Sequence, residues 1–163
     1  MKKPLAVVRI NEPYDVKLLE ELAVAAVEPW GDFLEFGGVH PNVDEIKFDS
    51  PVRPEGIALW VMDIMRRRVE YDHPDTYVLA VMPHPIMSAD INDPSPGWGK
   101  CHAAFVSTHK DYMNLKNRAT FVRYGKIVAA HEIWHLDPFD LDHHERQATS
   151  PGDKACIMYV NGN

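Results

Sequence analysis

The chain is poor in cysteine, with Cys101 and Cys156 the only two in 163 residues. Two cysteines make no disulfide framework, so the expected setting is a reducing, cytoplasmic one in which a packed core holds the fold. Long apolar runs are also missing. The run 5–8 that follows Met1-Lys2-Lys3-Pro4 is broken at once by Arg9, which is too short for a signal peptide or for the roughly 20 residues of a membrane span. No membrane association is expected. Positive charge is in deficit: 17 Lys and Arg against 24 Asp and Glu leave a net charge of −7. That is the wrong sign for a surface that tracks phosphates, so no nucleic-acid partner is expected. The one basic run, Arg66-Arg67-Arg68, falls at the end of an expected helix and reads as a solvated terminus rather than a binding patch. Repeats and low-complexity segments are absent. The apolar content of 45% and the length suit one compact domain over residues 1–163.

Hydrophobic periodicity predicts strands alternating with helices. Residues 5–10 read as a strand, 16–27 as an amphipathic helix and 33–39 as a strand. Residues 56–70 read as a second helix, with Ile57, Trp60, Val61, Ile64 and Met65 as its buried stripe, and 76–82 as an apolar strand. Residues 83–98 contain Pro85, Pro94, Pro96 and Gly97, and this density of breakers predicts a loop rimming a cleft. A strand over 102–108 and a helix over 117–130 follow. The expected class is α/β (α+β), a twisted mixed sheet with the last helix packed behind it.

That last helix leads into His131-Glu132-Ile133-Trp134-His135, an H-E-x-x-H element. Residues four apart on a helix share a face, with Cβ atoms about 5–6 Å apart, so two imidazoles so placed can clamp one metal ion. Tyr124, Val128, His131 and His135 form one stripe of this helix and Ile127, Ala130 and Trp134 another. Unpaired imidazoles on a buried face would cost roughly 1–3 kcal/mol each, which favours a bound ion over two idle core histidines. Glu132 sits beside the clamp, where its carboxylate can act as general base. A bound zinc lowers the pKa of its water from about 15.7 to roughly 7 and polarises a carbonyl under attack. The element therefore points to zinc-assisted hydrolysis.

A catalytic zinc of this kind has three protein ligands and one open position, so a further ligand should follow His135. Pro138 ends the helix near Leu136 and turns the chain, and beyond it come Asp140, Asp142, His143, His144 and Glu145. His143 is the chosen third ligand; His144 is its nearest rival, and Asp142 also offers a carboxylate. Two adjacent histidines point in different directions, so one of the pair serves elsewhere.

The H-E-x-x-H helix, the turn after it and Cys156-Ile157-Met158 further on together resemble the metzincin zinc peptidases, whose long motif is H-E-x-x-H-x-x-G-x-x-H followed by a methionine turn. The position of the family's third histidine holds Leu141, and alignment on Asp140-Leu141-Asp142-His143 restores a ligand with two extra residues in the turn. The C-x-M turn is most similar to that of the archaemetzincins. The resemblance covers roughly residues 4–160, and its last third is the specific part. It implies a metzincin-like zincin fold with an edge strand lining the cleft, and Met158 as the apolar residue beneath the zinc histidines. Thr76-Tyr77-Val78-Leu79-Ala80-Val81 resembles the family's core strand, and the segment from Gly99 to Ser107 its edge strand. The family usually has a cysteine directly after the third histidine and a later C-x-x-C for a second, structural zinc. Here that position is His144 and no C-x-x-C occurs, so one zinc per chain is expected. The chain ends at Asn163, where the family continues into a further helix; the expectation is a minimal variant or a shortened chain.

An exposed strand beside the zinc can bind an extended peptide or protein substrate through main-chain hydrogen bonds, and Ala103, Ala104 and Phe105 are the residues expected there. His84, His102 and His109 are candidates for contacts around the reacting groups, each read first as an ordinary surface or core histidine. Two other functions compete with a zinc metallopeptidase. A single-domain zinc endoribonuclease of ribosomal RNA maturation has the motif H-G-x-x-H-L-x-G-Y-D-H, which shares His135-Leu136 and Asp142-His143 with this chain. That family has Gly where this chain has Glu132, and so lacks the carboxylate base. The other is a zinc-binding protein without turnover, kept for a binding role on the same scaffold.

Overall fold

The computed structural model describes residues 1–11, 15–40, 53–67, 76–87, 94–95, 97–100, 102–109 and 118–136. Its centre is a five-stranded sheet in the order β2-β1-β3-β7-β6, built from β1 (Lys3–Arg9), β2 (Leu34–Val39), β3 (Tyr77–Met82), β6 (Gly97–Lys100) and β7 (Ala103–Ser107). The first four strands in that order are parallel. β6 pairs antiparallel with β7, Gly97 opposite Val106 and Gly99 opposite Ala104, and forms one edge. β3 is buried at every position, as expected for a parallel strand covered on both faces by helices.

Helix α1 (Val16–Val27) begins where Asp15, in extended backbone, accepts the Lys17 amide on its side chain at 3.3 Å, which satisfies one orphan N–H of the first turn. Its buried residues Leu18, Leu19, Leu22, Ala23, Ala26 and Val27 follow the helical period and face the sheet. It gives way to a 3₁₀ turn, Glu28–Trp30, containing Pro29. Helix α2 (Pro54–Arg67) opens on proline, whose fixed φ and missing N–H suit the first helical position. Near its end Arg67 pairs with Asp63 at 2.7 Å, and both side chains are well exposed, so the pair adds little; the Arg66 side chain and Arg68 lie outside the described residues.

Helix α3 (Arg118–Ile133) packs beside α1 on one face of the sheet. With Leu5, Val7, Leu79, Val81, Ala104 and Val106 the two helices enclose the larger core. The alternate residues Ala6, Val8, Val78, Ala80, Ala103 and Phe105 enter a second core with Val61 of α2. The molecule is thus three layers, α1 and α3, the sheet, then α2. Among the described residues no helix is long and apolar enough to cross a membrane.

Two expectations are corrected. The stretch 83–98 is not all loop: β4 (Ile86–Met87) and β5 (Pro94–Ser95) form a two-stranded antiparallel ribbon, and β6 begins at Gly97. The strand that holds Ala103, Ala104 and Phe105 is not at the edge. It has β3 on one side and β6 on the other, and the three side chains are buried in the two cores. No free hydrogen-bonding edge remains there for a substrate; only the Gly99 end of that expected edge segment lies on the true edge strand.

Leu79 is fully buried at the centre of the larger core. Leu79→Ala should lower unfolding stability in urea by about 2–5 kcal/mol, whereas Leu59→Ser, on the exposed side of α2, should change it by less than about 0.5 kcal/mol.

Candidate functional site

The core-facing stripe of α3 runs through Phe121, Val128, Ala129, Glu132, Ile133 and Leu136, all buried. The spacing of three and four residues places Glu132 on the side of the helix that meets the sheet, and the two histidines fall on its shoulders, half-buried. This differs from the expected stripe: Tyr124 is 37% and Ile127 49% exposed, so the helix turns its carboxylate inward and not its imidazoles. At its end the helix tightens. The amides of Trp134, His135 and Leu136 donate to the carbonyls of His131, Glu132 and Ile133 at 3.0, 3.1 and 3.0 Å, which are i→i+3 bonds of 3₁₀ type. Trp134 leaves this turn on the opposite side, its ring edge-on to Trp30 at a centroid distance of 5.1 Å.

Within this turn the Nε2 atoms of His131 and His135 stand 3.4 Å apart, with ring planes inclined at 69°. Two nitrogens each about 2.0–2.1 Å from a tetrahedral zinc lie roughly 3.3–3.4 Å apart. The imidazole pair therefore has the bite of a tetrahedral zinc site. Among the described residues no group of three His, Cys, Asp or Glu is assembled. The expected third ligand His143, its rivals His144 and Asp142, the turn residue Met158 and both cysteines lie outside the described residues.

Glu132 is 6% exposed, and burial pushes its carboxyl up to about 8. Its surroundings explain that burial. Edge strand β6 crosses over it so closely that a methyl group at Gly97 would fall 2.6 Å from both Cγ and Oε1 and 2.8 Å from Cδ. A methyl at Gly99 would land on the Glu132 carbonyl oxygen, 3.0 Å from its carbon and 3.3 Å from Cα. These glycines were not singled out as site residues from sequence. The signal was present as Gly-x-Gly at strand spacing, since glycine inside a strand often marks close approach of another backbone.

Among the described residues the other candidate histidines form no metal-binding group with the pair. His84 and His109 sit at the C-terminal ends of β3 and β7, where Ser107 Oγ donates to the His84 carbonyl at 2.7 Å and accepts the His109 amide at 3.2 Å. His84 Nε2 is 3.3 Å from Asn11 Nδ2, and burial together with the charge of His109 lowers its pKa. His102 precedes β7 with its ring 4.9 Å from that of Tyr77.

Neither the models of known protein families nor the curated proteins match the chain. Solved structures do. The archaemetzincin from Methanopyrus kandleri superposes with a TM-score of 0.63 at 16% identity, over 98% of this chain and 82% of that one. The fold is that of the archaemetzincins. A zinc-dependent peptidase from Methanocorpusculum labreanum gives 0.62 at 20% identity, over 98% of this chain and 89% of that one. The archaemetzincin from Archaeoglobus fulgidus, complexed with malonate, gives 0.62 at 16% identity, over 96% and 85%. In this archaemetzincin fold the H-E-x-x-H element closes α3 beneath the antiparallel edge strand.

A carboxyl shifted from 4.5 to about 8 holds its proton in the folded chain after the unfolded chain has released it. In zinc-stripped protein, the stabilising share of Glu132 is whole below about pH 4.5 and is lost as pH rises through about 8. Urea unfolding across that window should show stability falling with pH, and Glu132→Gln should flatten the dependence; an unchanged slope would disprove the burial argument.

Proposed function

We propose that the chain is a zinc-dependent metallopeptidase in which His131, His135 and His143 hold one zinc ion and Glu132 is the general base. The observation that carries this reading is the pairing of a 3.4 Å bite between imidazole nitrogens with a buried carboxylate on the intervening turn, pressed against an edge strand. When bound, zinc supplies the Lewis acidity that acidifies water and polarises a carbonyl.

The remaining work falls to the chain. His131 and His135 would hold the ion from the helix end, with His143 as the third ligand. Glu132 takes a proton from the attacking water and returns it to the leaving amine. Its burial under β6 limits the freedom of the carboxylate and keeps bulk water from it, so little reorganisation is needed when the proton moves. A nearby cation favours the ionised form of a carboxyl that burial alone would keep protonated. Glu132, which burial alone would keep protonated, would be ionised beside a bound zinc and could then serve as the base.

The substrate is a peptide or protein segment, laid in extended form along the outer edge of β6 by main-chain hydrogen bonds. That edge replaces the interior strand of Ala103, Ala104 and Phe105 as the recognition surface. Met158 provides the apolar floor under the histidines, as the resemblance to metzincins suggests. The description of the Methanocorpusculum labreanum neighbour as a zinc-dependent peptidase supports the same activity.

Elemental analysis of purified protein should give about one zinc per chain, and a value near two would overturn the single site. Glu132→Ala should lower peptide hydrolysis by about 10²–10⁴-fold with zinc retained; hydrolysis at the wild-type rate would remove Glu132 from the mechanism. Of His143→Ala and His144→Ala, the former should weaken zinc binding strongly and the latter only slightly, read by chelator competition.

A further inference from the structure

We infer that Gly97 and Gly99 of the edge strand are positioning residues for the H-E-x-x-H element, Gly97 through the Glu132 carboxylate and Gly99 through the backbone turn that carries His135. The inference rests on the peptidase reading for its consequence in catalysis, although the geometry stands without it. Gly97 and Gly99 lie two apart on one strand and so present the same face, the face shared with Ala104 and Val106 by their pairing in β7. That face meets α3.

The two glycines act on different atoms. Carbon atoms rest about 3.5–4.0 Å apart, and a methyl at Gly97 would stand 2.6 Å from Cγ and Oε1 of Glu132. All three atoms it would approach belong to the carboxylate arm, so that arm can give way by rotating, and the base would leave its place while the helix stayed. Gly99 offers no such escape. The nearest atoms there are the carbonyl oxygen, carbonyl carbon and Cα of Glu132, and the same carbonyl accepts the His135 amide at 3.1 Å. A side chain at Gly99 must push the backbone, and with it the second histidine and the 3.4 Å spacing of the Nε2 atoms. The strand thus sets the base and the metal clamp through separate contacts, one residue apiece.

The test is a set of variants in the full chain, read by zinc affinity, thermal unfolding and hydrolysis of a mixed-sequence peptide pool. Gly97→Ala should keep zinc affinity within about threefold and lower kcat tenfold or more with KM little changed, as a misplaced catalytic group does. Gly99→Ala should weaken zinc binding tenfold or more. Overpacking at Gly97 should lower the unfolding midpoint by roughly 3–10 °C. In a Glu132→Ala background the colliding arm is gone, so Gly97→Ala should then cost almost nothing, while Gly99→Ala should cost as much as before. This comparison also serves if Gly97→Ala alone fails to fold, because the double variant should recover. The inference is overturned if Gly97→Ala destabilises both backgrounds equally, or if it weakens zinc binding as much as Gly99→Ala does. If the coupling between Gly97 and Glu132 appears but the wild-type chain cleaves no peptide in the pool, the positioning geometry holds and the peptidase reading fails.

Discussion

The close approach of α3 to the edge strand is the constraint on which the rest of the structure depends. A helix packs against a sheet at a distance set by the side chains between them, and here two glycines remove those side chains over the length of one helical turn. The turn that sinks into the gap is the one carrying Glu132. For it to arrive there, α3 has to lie on the α1 side of the sheet, and the buried residues of α1 and α3 supply the apolar contact that holds it. The ion pair between Arg118 and Glu21, at 2.7 Å and half-exposed, ties the start of α3 to α1 but contributes little beside that burial. The sheet order then decides what the far end of α3 meets, because among the described strands only β6 lies outside β7.

The same approach sets the electrostatics of the site. A carboxyl buried on α3 against the edge strand gives up most of its hydration, and desolvation is the cause of its raised pKa. Burial of an ionisable group works against stability, so the fold carries an unfavourable burial where its chemistry is proposed to occur. The histidines escape that cost by standing at the rim. The inward carboxylate and the outward imidazoles are therefore two results of one helix orientation.

Much of this was legible in the sequence. The period of apolar residues gave α1 to the residue, and an unbroken apolar run identified β3. The H-E-x-x-H spacing pointed to the histidine pair, and the archaemetzincin resemblance agrees with the fold found by comparison. The edge strand was misplaced for a physical reason. Gly97-Trp98-Gly99-Lys100 follows two prolines and has no strand period or propensity of its own; it is a strand because β7 offers it a ladder. The resemblance puts the edge strand over residues 99–107, although 103–107 form a continuous run buried at every position, the pattern of an interior parallel strand. The inward direction of Glu132 was missed because the histidines were used to choose the buried stripe, whereas Phe121, Val128, Ile133 and Leu136 define it. His143 and Met158 fall outside the described residues, and their roles rest on the sequence.

The packing of α1 against α3 also bears on how the chain is made. Strands β1 and β2 and helix α1 leave the ribosome before α3, and the apolar face of α1, with Leu18, Leu22 and Ala26, meets α3 only when residues 118–133 have emerged. Until then a growing chain carries an uncovered helix face, a state prone to association with its neighbours. The helix that bears the candidate histidine pair is thus also the piece that covers the apolar face of α1.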